Sequence, residues 1–398
     1  MADTGIGADA GQILDVWLAT HRDQLVGWRR RIHAYPELSR QEVATTELVM
    51  SELTALGLAP RRLPLGTGVV CDLGPTGGPR IALRADMDAL PITEHTGRPF
   101  SSTVDGVSHS CGHDAHTAIL LGTASVLSSV ADRLPVGVRL VFQAAEEVMP
   151  GGALDAIAAG VTEGVGRIFA LHCDPRLPVG SVGLREGALT SAADHIDLQL
   201  RSPGGHTSRP HLTGDVVYAM GTVITGLPGV LSRRIDPRSG TVMAWGAAHA
   251  GNAPNAIPQE GHLKGTVRTG EHAVWAELES LVRSVIGELL APLRVSHDLS
   301  YFRGVPPVIN DVTSVEMLAR AVAAIDPSAV ADTPQSPGGE DFSWFLEHVP
   351  GAMARLGVWD GLGPQLDLHQ PTFDIDERAL DIGVRTLAGV VMGFTPGA

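Results

Sequence analysis

The sequence predicts a two-domain α/β protein, in which an α/β domain built from both ends of the chain is interrupted by an inserted ferredoxin-like β-α-β-β-α-β domain. Three observations predict it. At 398 residues the chain exceeds the size at which one core usually keeps growing. Short apolar strand patterns alternate with helical ones from the N-terminal region to about residue 190, which marks a sheet with helices on its faces. The pattern then switches to the split order of strands and helices, and later switches back. The expected partition is 1–190 and 302–398 for the outer domain and 191–301 for the insertion.

The elements follow in chain order. Ile13, Leu14, Val16 and Trp17, then Val43, Leu48, Val49, Leu53 and Leu56, recur at helical spacing, so Asp9 to Leu58 reads as helices with Gly57 as a stop. "GVVCDLG" and "RIALRAD" read as strands, a helix follows Cys111, "GVRLVFQ" is a strand, a helix lies near Leu154 to Ala159, and "RIFALHC" is a strand. In the insertion the strands are "HIDLQLRS", "TVMAWGAAHAG", "HLKGTVRT" and "LRVSHDLSYF", with helices Gly214 to Leu231 and Ala273 to Leu290. The chain then returns through the strand "AMARLGV" to a helix from Glu377 to Met392.

Composition removes several functions. A formal net charge of −15 with no basic patch argues against a nucleic-acid partner, since phosphate binding needs clustered Lys and Arg. Lys264 is the single lysine, which leaves phosphate-loop and Schiff-base chemistry almost nowhere to sit. No uninterrupted apolar stretch reaches membrane-spanning length, and "MADTGIGADAGQILDVW" does not read as a secretory signal. Three cysteines form no even disulfide framework, so a reducing, cytoplasmic setting is expected.

Polar residues gather where strands end. Asp86 and Asp88 follow "RIALR", Glu146 and Glu147 follow "VRLVFQAA", and His172 closes "RIFAL". In open α/β sheets ligands bind beyond the carboxyl ends of the strands, so these positions should converge. "SHSCGHDAHTAILLGTA" places Cys111 and His113 two apart at the mouth of an apolar helix, and both are metal donors once the cysteine is a thiolate. Two adjacent glutamates resist joint ionisation unless a cation compensates them. One could ligate while its neighbour takes a proton from water. With His172 and His369 the set reaches five donors, more than one four-coordinate catalytic ion with an open position would use. Two divalent ions sharing a ligand, roughly 3.5–4 Å apart, fit better. The donors accept Zn, Mn, Co or Ni alike.

"RADMDALP", "SHSCGHDAHT", "FQAAEE", "ALHCDP", "GGHTSRPH", "GNAPNAIP", "GTVRT", "GGEDFSWF" and "LHQPTFDID" occur in one order from Arg84 to Asp376. As a set they resemble the amidohydrolase branch of the aminoacylase/carboxypeptidase metallopeptidase family, which contains hippurate hydrolases and plant auxin-conjugate hydrolases. The resemblance implies a dinuclear site held by Cys111, His113, Glu147, His172 and His369, with Cys111 bridging and Glu146 as general base. It implies that the insertion is a lid and a homodimerisation surface, with His206 meeting the scissile carbonyl, from this subunit or its partner. It also implies that Asn255 and Arg268 hold the substrate's carboxylate. Relatives outside this branch carry His-x-Asp where this chain has Asp86-Met87-Asp88, so Asp86 and Asp88 stay outside the ligand set; the role of His211 is left open.

The expected activity is hydrolysis of the amide of a small-molecule N-acyl amino acid, hippurate-like, to a carboxylic acid and a free amino acid. A dipeptidase or carboxypeptidase of the same family would share every ligand. A metal-free cysteine hydrolase would use Cys111 with His113 or His172 as base. An inactive binding protein would have no use for Glu146.

Overall fold

The structure is a computed structural model and describes residues 6–393. The chain opens with α1 (Ile6–Ala34) and α2 (Val43–Ala55), then β1 (Arg61–Arg62), β2 (Val69–Leu73) and β3 (Arg80–Asp86). Next come α3 (His113–Ser129), β4 (Val138–Gln143), α4 (Ala153–Ala158), β5 (Val165–Pro178) and β6 (Val182–Leu184). A second run holds β7 (Ala192–Arg201), β8 (Gly205–His206), α5 (Val216–Arg234), β9 (Val242–Ala250), β10 (Ala256–Ile257), β11 (Glu260–Thr269), α6 (His272–Leu290) and β12 (Ser296–Val305). The chain closes with α7 (Val312–Ala323), β13 (Val330–Asp332), α8 (Phe342–Leu346), β14 (Gly351–Trp359) and α9 (Arg378–Met392).

These elements cluster into two compact units. One contains the chain up to Gly187, Ile309–Pro334 and the stretch from Asp341 onward; the other contains Ala188–Val308 and Gln335–Glu340. The first is a mixed α/β unit on an eight-stranded sheet of order β1-β2-β4-β3-β5-β14-β6-β13. Its centre is parallel: β3 pairs with β4 and β5, and β14 with β5. Parallel strands buried on both faces read as continuous apolar runs, and every residue of β4 is buried.

α3 explains the apolar tail of the cysteine motif. Its residues from His113 to Leu127 are all buried, so this helix has no solvent face and serves as a post inside the unit. α1 and α9 crowd against it at Gly122, where an added methyl would lie 2.8 Å from Val384 Cγ2, 3.0 Å from Leu25 Cδ1 and 3.3 Å from Trp17 Cη2. A glycine inside a helix costs about 1 kcal/mol relative to alanine, and close helix approach is what it permits here.

The second unit carries a four-stranded antiparallel sheet of order β9-β11-β7-β12. Among the described residues α5 has the length and apolar composition of a membrane span, which a search for an uninterrupted apolar run overlooks. Its Val216, Ala219, Met220, Val223, Leu227 and Leu231 are buried in the core of this unit with Leu198, Leu263 and Val282. The strand reading also needs one correction in the first unit: β5 does not end at His172 but runs on to Pro178.

Replacing Gly122 by Val tests the post. The substitution should destabilise the protein by about 1–3 kcal/mol, read as an earlier midpoint in urea unfolding with an unchanged slope.

Candidate metal centre

Register brings the donors to one level. Asp86 at the end of β3 pairs with Gln143 at the end of β4, so the chain leaves both strands together and delivers Asp88 and Glu146 nearby. Arg84 pairs with Ala170, which puts His172, two residues on, level with Asp86 although β5 continues past it. Cys111 and His113 come from the start of α3, whose N-cap Gly112 has φ 86°. A side chain there would meet both the left-handed penalty and Cys173, since an added Cβ would lie 2.9 Å from Cys173 Sγ. His369 arrives from far along the chain, fastened by its own N–H to the Ser110 carbonyl at 2.8 Å, beside Cys111. Its φ is 61°.

The result is two donor triads. Cys111, His113 and His172 have ligand atoms within 4.8 Å of one another, and so do Cys111, Glu147 and His369. Cys111 belongs to both. Cys111 Sγ lies 3.6 Å from His172 Nε2, and His369 Nε2 lies 3.3 Å from Glu147 Oε1. His172 Nδ1 sits 2.8 Å from the Cys173 carbonyl, to which it can only donate, so Nε2 offers its lone pair.

Two observations fit this site to a cation. Both ring nitrogens of His113 and Glu147 Oε1 are buried without a hydrogen-bond partner among the described residues, an arrangement that costs free energy unless something else is held there. Negative charge is also in excess. His113 Nδ1 lies 3.4 Å from Asp88 Oδ1 and 3.8 Å from Asp86 Oδ1, while Nε2 lies 3.9 Å from Glu146 Oε2 and 3.8 Å from Glu147 Oε1. Burial pushes the His113 pKa down, but these carboxylates outweigh it and lift the value to about 10. Burial raises the Cys111 thiol well above its ordinary range, and Glu147, Glu146 and Asp86 raise it further. Burial, aided by Arg355 and His116, keeps His172 neutral. Glu147 holds His369 above its usual value.

Asp86 and Asp88 do supporting work. Asp86 joins Arg84 Nη1 at 2.6 Å and His116 Nδ1 at 2.6 Å, while His116 Nε2 accepts the Cys173 N–H at 2.8 Å. Asp86, His113 and His116 also form a close set, yet Asp86 and His116 are both already committed to these partners. Asp88 accepts the N–H groups of Glu146 at 3.0 Å and Glu147 at 2.9 Å. Asp341, in the "GGEDFSWF" motif, makes no side-chain cap on α8; its carboxylate accepts from Arg84 Nη2 at 2.8 Å and Gln143 Nε2 at 2.7 Å.

Sequence reasoning missed the clamp around α3. Arg29 Nε donates to Asp114 Oδ2 at 2.8 Å and Arg29 Nη2 to Asp374 Oδ1 at 2.7 Å. His33 Nδ1 meets Asp114 at 2.8 Å and its Nε2 meets Glu94 at 3.2 Å. The signal was present as Arg29 and His33, one turn apart on α1, but only the fold supplies their acids.

The remaining site candidates lie in the second unit. His206 is exposed on β8 and pairs with Ala256 of β10. Its Nδ1 accepts the Ser208 N–H at 3.1 Å, so in the neutral ring Nε2 carries the proton. Asn255 stands beside it, its carbonyl accepting the Thr207 N–H at 3.2 Å. Arg268 is on β11, with Nη1 donating to the Pro337 carbonyl at 2.7 Å. His211 is exposed in a short turn.

With this geometry in hand, residues 82–393 match the profile of "Peptidase family M20/M25/M40". The chain is 38% identical to an N-acetyl-L-cysteine deacetylase of Bacillus subtilis, over 91% of this chain and 86% of that one. It is 33% identical to thermostable carboxypeptidase 1 of Saccharolobus solfataricus, over 94% of this chain and 96% of that one. A Rhodococcus jostii relative named for a glutamate–cysteine ligase is 54% identical over 96% of this chain, and the chain spans about half (48%) of its length. Among solved structures, the Bacillus subtilis YXEP protein, described as a dinuclear metal binding peptidase, superposes with a TM-score of 0.82 at 35% identity, covering 93% of this chain and 97% of that one.

The α3 clamp generates a pH prediction. Burial lowers the His33 pKa, but Asp114 and Glu94 raise it to about 9 against 6.5 in the unfolded chain. Because the folded value is the higher one, the stabilisation is complete below pH 6.5 and is lost as pH rises through 9, on the order of 3 kcal/mol in all. Urea unfolding at pH 6.5 and 9.5 should show this loss in the wild type and a markedly smaller one in His33→Gln.

Proposed function

The chain belongs to peptidase family M20/M25/M40 and is a metal-dependent amidohydrolase of it, and from that premise we propose that it cleaves N-acyl amino acids to a carboxylic acid and a free amino acid. One observation carries the reading: two donor triads share Cys111, with the Glu146 carboxylate 3.9 Å from His113 at their edge. We assign Cys111, His113, Glu147, His172 and His369 as ligands of two divalent ions, drawn from Zn, Mn, Co or Ni. Such ions, when bound, polarise the amide carbonyl and make water acidic near neutral pH.

The protein's own groups do the rest. Glu146 takes the proton of the attacking water and passes it to the leaving nitrogen, which must depart as an amine. Asp88 fixes the backbone of both glutamates, so Glu146 is presented at a set position. His206, with its proton on Nε2, is suited to donate to the developing oxyanion. Arg268 supplies a planar fork and Asn255 an amide for the substrate's carboxylate. A homodimer formed through the inserted unit, and a cytoplasmic site that keeps Cys71, Cys111 and Cys173 as free thiols, belong to the same proposal.

The surroundings of Cys111 disfavour the cysteine-hydrolase reading. An activated thiol sits in an electropositive setting, whereas Cys111 is buried among carboxylates that hold its proton on. The carboxypeptidase names among the relatives make dipeptides the competing substrates, and both readings share every donor.

The test pairs elemental analysis with a panel of N-acetyl (including N-acetylcysteine), N-benzoyl and N-indoleacetyl amino acids and dipeptides. N-acyl amino acids should turn over best, and a preference for dipeptides would replace this substrate class with the peptidase one. Exhaustive chelation should abolish turnover and added divalent metal restore it. Glu146→Gln should keep the wild-type metal content while kcat drops by roughly 10²–10⁴; unchanged kcat would remove Glu146 from its role.

A further inference from the structure

We propose that Glu42 is a positioning residue for the reaction: its carboxylate holds the left-handed turn at Ala145 that aims Glu146 and Glu147 at His113. Glu42 is completely buried and stands at the N-cap of α2, where its carboxylate is near the helix's own free N–H groups. It makes no side-chain cap there. Glu37 takes that work, accepting the N–H groups of Ala44 at 2.9 Å and Thr45 at 2.8 Å and the Thr45 hydroxyl at 2.9 Å.

Glu42 is thereby free to reach across the fold. Its Oε1 accepts the N–H of Ala145 at 2.8 Å. Ala145 has φ 59°, a left-handed conformation that is unfavourable for a non-glycine residue and persists only when its surroundings enforce it. Here the enforcement is visible on both sides, because the Ala145 carbonyl accepts the Gly152 N–H at 2.8 Å. The next two amides, of Glu146 and Glu147, go to Asp88. Two buried carboxylates therefore hold three successive N–H groups, and the side chains that follow point where the triads need them.

Glu42 and Asp88 act through one strap, residues 37–42. Ser39 Oγ donates to Asp88 Oδ2 at 2.6 Å, and the Ala89 N–H donates to the Glu37 carbonyl at 2.8 Å. The strap thus ties the exit of β3 to the exit of β4. A buried carboxylate is an expensive way to fold a turn, and Glu42 Oε2 has no hydrogen-bond partner among the described residues. That expense is understandable if what it secures is the aim of Glu146 and Glu147.

This inference rests on the assignment of Glu147 as a ligand and Glu146 as the proton carrier, and the test separates the two. The full-length protein is stripped of metal and titrated with Mn²⁺ alone, and kcat and KM are measured after reloading, for the wild type, Glu42→Ala and Glu42→Gln. Glu42→Ala should weaken Mn²⁺ binding and lower kcat by about 10–100-fold each, with KM within about threefold. Glu42→Gln retains an oxygen acceptor for the Ala145 N–H and should stay within about tenfold of wild type in both. Thermal midpoints identify any variant that has failed to fold. An alanine variant with wild-type affinity and kcat overturns the proposal, as does a folded glutamine variant that falls as far as alanine. If the alanine variant does not fold, glutamine alone decides: a loss below tenfold supports the proposal and a larger one overturns it. A wild type that binds Mn²⁺ but cleaves no N-acyl amino acid sinks the substrate assignment, and the affinity comparison still judges Glu42.

Discussion

Everything at this centre depends on a surplus of carboxylates crowded around one buried imidazole. Asp86, Asp88, Glu146 and Glu147 approach one imidazole, His113, which lies wholly inside the protein. One imidazolium compensates one charge, and Arg84 with His116 is committed to Asp86. Like charges at such range cannot all ionise without further positive charge, and the donor geometry shows where that charge is wanted. The same surplus explains why His113 binds its proton so tightly when no cation competes, and why cation and proton are rivals there.

A site under that tension needs a stiff frame. The parallel strands β3, β4 and β5 bring their polar continuations to one level, and α3 stands behind them as a helix buried along nearly its whole length. Each carboxylate is then held individually. Arg84 bridges Asp86 and Asp341, and Arg29 with His33 locks Asp114 beside His113. Buried pairs of this kind add little net stability compared with apolar packing, but breaking one leaves an uncompensated charge, so they specify one geometry strongly.

Most longer elements of the α/β unit, and the five residues proposed as donors, could be picked out in the sequence. Apolar runs with polar ends announce β3 and β4, and a Cys-x-His before an apolar helix announces α3. His172 was found for a partly wrong reason: the strand does not stop there, and only the register against Arg84 makes it level with Asp86. β6 and β13, three residues each, were too short to carry a period. The partners of the donors were less visible. Glu37, Ser39 and Glu42 read as polar residues between two helices, and nothing in their spacing says that they touch residues 88 and 145. Such contacts are set by tertiary approach, to which sequence periodicity is blind.

Cys111 shows how one environment supports two opposite chemical readings, and how charge separates them. A nucleophilic cysteine needs its proton drawn off by nearby positive charge, whereas Cys111 stands among Glu146, Glu147 and Asp86, with the neutral His172 ring 3.6 Å away. Those neighbours make it a poor attacking group. Under the proposed assignment they also suit it to ligation, because a divalent cation drawn in by the carboxylates is what would take the thiol's proton away. Placed in both triads, a thiolate can serve two ions at once, and no histidine nitrogen could do that with its single lone pair. The cysteine therefore belongs to the electrostatic balance of the site, which leaves the proton transfer, in the proposed mechanism, to Glu146.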